Sequence, residues 1–137
     1  MADRRDFLKL IPLAPAFPLF ASGGNQLPSI VVDAQNAKLI REPFGDQRVF
    51  FEGPTGQIKS MTAGSLLLKP GMSPHPPHRH EEEEFMILTE GTGEIVIDGR
   101  KSPVGAGSMM YCESNVLHGI VNTGQVPLLF YYYKWKA

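Results

Sequence analysis

The stretch that decides the fold runs Gly71-Met72-Ser73-Pro74-His75-Pro76-Pro77-His78-Arg79-His80-Glu81-Glu82-Glu83-Glu84-Phe85-Met86-Ile87-Leu88-Thr89-Glu90-Gly91. It holds His75, His78 and His80, three of the four histidines in the chain. Successive residues of a β-strand point to opposite faces, so His78 and His80 are expected on one face. Glu84 shares their parity if the strand continues, and reaches the same point from the next strand if the chain bends. Two imidazoles on one face can hold a divalent ion, and Pro74, Pro76 and Pro77 limit the freedom of the chain before them. Glu81 and Glu83 read as a solvated acidic run.

The fourth histidine, His118, follows His80 by 38 residues and falls in another predicted strand. Three imidazoles and a carboxylate suit Zn, Fe, Mn, Ni, Co or Cu, whereas Ca prefers oxygen ligands throughout. A His-x-His pair also occurs on exposed loops without any metal, so residue chemistry alone leaves both readings open.

Outward from this stretch the chain reads as strands and turns. Strands are predicted at 30–32, 48–52, 58–68, 84–89, 93–97, 108–112, 117–121 and 128–135. Between them lie Gly53-Pro54-Thr55-Gly56, Pro70-Gly71, Glu90-Gly91, Asp98-Gly99, Gly105-Ala106-Gly107 and Thr123-Gly124. Asp98-Gly99 between Ile95-Val96-Ile97 and Arg100-Lys101 is a tight-hairpin signal. Fourteen Gly and twelve Pro, scattered along the chain, agree with many short strands. The domain is therefore all-β, and periodicity leaves sandwich, jelly roll and small barrel open.

Two motifs carry a family resemblance. Gly71, His78-Arg79-His80, Glu84 and Gly91 resemble the first motif of the cupins: a glycine, His-x-His, a glutamate and a second glycine. Gly107, Glu113, Asn115, His118 and Asn122 resemble the second. Six residues rather than five separate Gly71 from His78, and Glu113 and Asn115 replace the usual proline and glycine. Asn tolerates a left-handed backbone better than other non-glycine residues, so the turn is expected to survive. The resemblance covers residues 60 to 135. It implies a conical β-barrel (a double-stranded β-helix, or jelly roll) enclosing one divalent transition metal held by His78, His80, Glu84 and His118. His75 falls outside the pattern and is expected at the mouth.

The chain has 137 residues, 42% apolar and 20% charged, which fits one globular domain. A net charge of −1 gives no reason to expect a nucleic-acid partner. The single Cys112 excludes an internal disulfide and a four-thiolate zinc site, and reads as a small buried side chain. Residues 1–23 read as a secretory signal: Arg4-Arg5 with Phe7-Leu8-Lys9 resembles the twin-arginine export signal, followed by an apolar segment. Pro12, Pro15 and Pro18 oppose a stable helix there, each at a cost of about 3 kcal/mol. A membrane span is disfavoured on length. The expectation is a single barrel domain over 24–137, periplasmic or extracellular, without stable membrane insertion once the signal is cleaved.

By alternation, Met86 and Leu88 follow Glu84 inward and Ile120 follows His118. Met110 and Phe130 with Tyr132 complete the expected wall, and His75 has a place at its rim. Tyr131, Tyr133 and Trp135 are expected together on the opposite face of the last strand, as an edge for a homodimer. A fold does not set a reaction. The family resemblance implies an enzyme acting on a small organic molecule, with dioxygenase chemistry ahead of isomerase or lyase chemistry. The alternative is a metal-containing protein that binds a sugar or aromatic acid unchanged.

Overall fold

The computed structural model describes residues 26–137, and among these residues short β-prone runs build nine strands. The expected leader, residues 1–23, lies outside the described residues. The strands are β1 (Lys38–Glu42), β2 (Gly45–Gly53), β3 (Ser60–Leu68), β4 (Glu83–Glu90), β5 (Thr92–Ile97), β6 (Arg100–Gly105), β7 (Met109–Cys112), β8 (His118–Asn122) and β9 (Leu128–Lys136). They form a six-stranded sheet, ordered β1-β2-β3-β9-β4-β7, and a three-stranded sheet, ordered β6-β5-β8. All pairings are antiparallel, as a jelly roll requires.

The two inner faces share one core. Leu66 and Leu68 of β3, Met86 and Leu88 of β4, and Phe130 and Tyr132 of β9 meet Ile95 of β5 and Ile120 of β8. Leu68, Leu88 and Leu128 have no exposed surface, and fully burying such a side chain is worth about 1.5–3 kcal/mol. Cys112 is buried in the same cluster with its thiol free.

Asp98 and Gly99 turn β5 into β6 with φ of 48° and 81°, the pair of positive values a two-residue primed turn demands. Asn115 has φ of 62°, so it takes the left-handed position filled by glycine in the usual second motif.

Several expectations need correction. Residues 30–32 form no strand, and Val31 is 93% exposed, so no partner covers its apolar side chain. Strand β1 was not anticipated, and β6 was indicated only by the hairpin signal at Asp98-Gly99. Both lie at sheet edges, where one side of the ladder is free and apolar alternation is not imposed. β6 also contains Pro103, which edge strands tolerate. His78 and His80 do not lie on a strand: His78 makes an isolated bridge with His118 and His80 follows in irregular chain. Strand β9 is not an edge, because β3 and β4 pair with it on either side. Tyr133 is exposed on the outer face of that sheet, beside Phe85 of β4.

Asn122 ties the ligand-bearing loop to the barrel. Its side chain is fully buried, and its Nδ2 donates to the carbonyls of Leu68 (3.0 Å) and Val126 (2.9 Å). Its Oδ1 accepts from the Gly124 amide at 2.9 Å. Its backbone amide and carbonyl bond Met72 and Gly71. Replacing Asn122 with Ala leaves the buried Leu68 carbonyl unpaired and frees two half-buried groups, so Asn122→Ala is expected to lower unfolding stability by about 2 kcal/mol in urea titration.

Candidate metal centre

The segment before β4 carries two of the imidazoles, and backbone bonds lay it beside β8. The His78 amide donates to the His118 carbonyl at 2.9 Å, and the His118 amide donates back at 3.0 Å. The Asn115 amide donates to the His80 carbonyl at 2.8 Å. Pro77 packs over Gly119, where a Cβ would lie 3.3 Å from the proline backbone. This stitching brings residues some forty positions apart into one cluster.

Nitrogen atoms of His78, His80 and His118 all lie within 4.8 Å of one another. Glu84, inward on β4, reaches two of these rings: its Oε2 is 2.8 Å from Nε2 of His118 and 3.5 Å from Nε2 of His80. Glu84 and His118 are both buried.

Hydrogen bonds behind the rings set the tautomers. Nδ1 of His80 bonds the Glu82 carbonyl and Nδ1 of His118 bonds the Val116 carbonyl, each at 2.9 Å. A carbonyl only accepts, so both Nδ1 atoms carry hydrogen and both Nε2 lone pairs face the cluster. Nε2 of His80 is buried without a hydrogen-bond partner. Lone pairs and a carboxylate converging on one point require a cation there, either a proton or a metal ion. The orphaned nitrogen and the donor set of three imidazoles and one carboxylate fit a divalent transition ion. His78, His80, Glu84 and His118 would hold it.

The charges agree with that assignment. Burial, and then neighbouring His75, His118 and His80, lower the His78 pKa to about 4, so this ring is neutral at physiological pH. Burial tends to raise the Glu84 pKa, but its bond to His118 and the nearby positive groups prevail and hold it below the usual carboxylate range. Burial tends to lower the His118 pKa, and the bonds to Glu84 and Val116 outweigh it and lift it.

The family is decided by the sequence around these residues: residues 64–132, about half of the chain, match the Cupin domain family. The chain is a cupin. It is 31% identical over 125 residues to the dimethylsulfoniopropionate lyase DddW of Ruegeria pomeroyi, covering 88% of this chain and 81% of that relative. Among solved structures it resembles an RmlC-like cupin from Shewanella frigidimarina, with a TM-score of 0.66 and 16% identity over 82% of this chain and 95% of that one. KdgF from Halomonas sp. gives a TM-score of 0.67 and 16% identity over 80% and 96%. At that identity the structural likeness speaks for the fold.

Above the centre this cupin has a cavity of about 180 Å³. His78, Glu84 and His118 lie on its wall with His75, Met86, Met110, Ile120, Phe130 and Tyr132. Leu88, expected beside them, is instead sealed in the core without reaching the cavity. One further step along β4 carries its side chain beyond the space the metal residues border. The His75 ring stacks on His78 with centroids 3.6 Å apart and stays outside the three-imidazole cluster.

Sequence reasoning missed Phe44, Gln47, Leu66, Pro74 and Lys134 on the same wall. Lys134 was within reach, since it shares the parity of Phe130 and Tyr132 on β9. Gln47 was hidden because β2 starts earlier than its apolar run. Its Nε2 donates to the Tyr132 hydroxyl at 2.6 Å, across Gly64. A Cβ at Gly64 would stand 2.5 Å from that hydroxyl, so glycine there makes room for the tyrosine.

His80→Ala and His118→Ala are expected to lose most bound metal in elemental analysis, with a lower melting temperature, whereas His75→Ala retains it. Metal uptake should also displace the proton shared by His118 and Glu84. Because the His118 pKa lies above its ordinary 6.5, zinc affinity is expected to rise with pH through that region. Titration calorimetry in two buffers of different ionisation enthalpy measures the protons released, and Glu84→Gln should reduce them.

Proposed function

We propose that this cupin is a metal-dependent lyase that cleaves a small organic molecule in the cavity above His78, His80, Glu84 and His118. The observation that carries this reading is the meeting of three imidazoles and a buried carboxylate at the wall of a small cavity. The likeness to a dimethylsulfoniopropionate lyase over most of both chains supports lyase chemistry. A divalent ion at these four residues would act as a Lewis acid, drawing electron density from an oxygen of the substrate.

The protein's own groups supply the rest. Nδ1 of His75 bonds the Pro76 carbonyl at 2.8 Å, so Nδ1 carries the hydrogen and Nε2 carries the lone pair. His75 lines the cavity beside the metal residues, and in this proposal its Nε2 takes the proton in an elimination. With dimethylsulfoniopropionate, a C–H bond loses its proton to that nitrogen and a C=C bond forms. The C–S bond breaks with its electron pair leaving on sulfur, so the products are dimethyl sulfide, acrylate and a proton. Met86, Met110, Ile120 and Phe130 keep water from the reacting carbons.

That apolar wall also favours a second reading, oxidation of a small substrate by dioxygen. Export by the twin-arginine route belongs to the same proposal and rests on Arg4-Arg5 and the apolar segment after them.

Metal-loaded protein incubated with dimethylsulfoniopropionate under argon is expected to release dimethyl sulfide, measured in the headspace. His75→Ala should lower the rate about 100-fold or more with metal content unchanged. Product only in air, with matching oxygen uptake, would replace the lyase reading by the oxidative one. No turnover of this or other small β-substituted acids, either way, would sink the lyase proposal.

A further inference from the structure

Lys134 is the lysine that the metal centre does not explain. It lies on β9 with the parity of Phe130 and Tyr132, on the side of the strand that faces the barrel interior, and it lines the cavity. Its Nζ stands 5.5 Å from the centre of the Tyr132 ring. In register it is opposite Glu84 of β4, the natural partner for its charge. Glu84, however, turns its Oε2 to His118 and His80. The neighbouring carboxylates are taken as well: Glu81 pairs with Lys136, and Glu83 accepts from the Tyr111 hydroxyl at 2.5 Å. Among the described residues Lys134 forms no ion pair.

An ammonium turned into a partly dry cavity is unfavourable unless an anion meets it. The other described lysines and arginines lie off this cavity. With a divalent ion at the histidines, Glu84 offsets only part of the positive charge, and the cavity is left electropositive. Such a cavity favours a negatively charged guest. The Tyr132 hydroxyl, held by Gln47, borders the same space and can donate to an oxygen anion beside Lys134.

We infer that Lys134 is a specificity-determining residue, and that the molecules this cavity takes are small carboxylates whose carboxyl group it anchors. The inference rests on the cavity being the reaction site, but it concerns binding, and binding is measured apart from turnover. A carboxylate anchored at Lys134 by one oxygen keeps its second oxygen for the metal, and leaves the remainder of a short molecule over Met86, Met110 and Phe130.

The probes are propionate and its uncharged counterpart propionamide, titrated into metal-loaded full-length protein and followed by chemical shifts. Wild type is expected to bind propionate about tenfold or more tighter than the amide. Lys134→Gln should abolish that preference with metal content unchanged, and Lys134→Arg should keep most of it. Lys134→Met provides the same loss of charge if the Gln variant does not fold. Wild type without the preference would overturn the inference. So would an uncharged variant with the preference intact, since the metal would then account for the preference without Lys134. Loss of lyase turnover with the propionate preference retained would remove the proposed reaction and leave the anchor standing.

Discussion

The centre depends on two backbone hydrogen bonds, those exchanged between His78 and His118. A strand can place one ligand and its neighbour two positions on, but it cannot bring distant chain into register by itself. Here the loop from Gly71 to Glu82 lies along β8, fastened at one end by Asn122 and at the other by Asn115. The prolines at 74, 76 and 77 restrict the loop before it docks, so less conformational entropy is lost when it does. The ring nitrogens then converge because the backbone has already converged.

Convergence creates an electrostatic problem that sets the chemistry. Two Nδ1 atoms are committed to carbonyls, which turns basic nitrogens toward a buried carboxylate. Like dipoles and a negative charge facing one another need a positive centre. A proton on His118 satisfies part of the set; Nε2 of His80 remains without a partner. A divalent ion satisfies all of it. Lys134 is the opposite case: its carboxylate neighbour is drawn to the imidazoles, which leaves positive charge facing the cavity.

The residues that cluster were legible because motifs resembling those of the cupins can be read locally in a sequence. His78, His80, Glu84 and His118 fit two motifs, and the structure places them together in one region. The inward parity of Met86 and Ile120 followed from the period-two rule, which also gave Phe130 and Tyr132 a common face; the structure shows that face to be the inner one. The rule failed where strands were not strands or ended in unexpected places. His78 and His80 were assigned to a ladder that is a single bridge, and Gln47 lay before the apparent start of β2. Leu88 had the right parity and the wrong depth, because parity says which face a side chain takes and nothing about how far along the barrel it sits.

Alternation and turn residues by themselves determined that this protein is all-β, and two motifs in the sequence carried the resemblance that implied a cupin barrel with three histidines and a glutamate available to a metal. Those features act through neighbours in the chain, so they can be read without coordinates. Tertiary structure alone decided that β9 is a central strand, that edge strand β1 exists, and which side chains border the cavity. It also decided that Glu84 turns from Lys134 to His118. Each of these depends on which distant segments pair and how their charges compete, and such competition is settled only when the chain is folded.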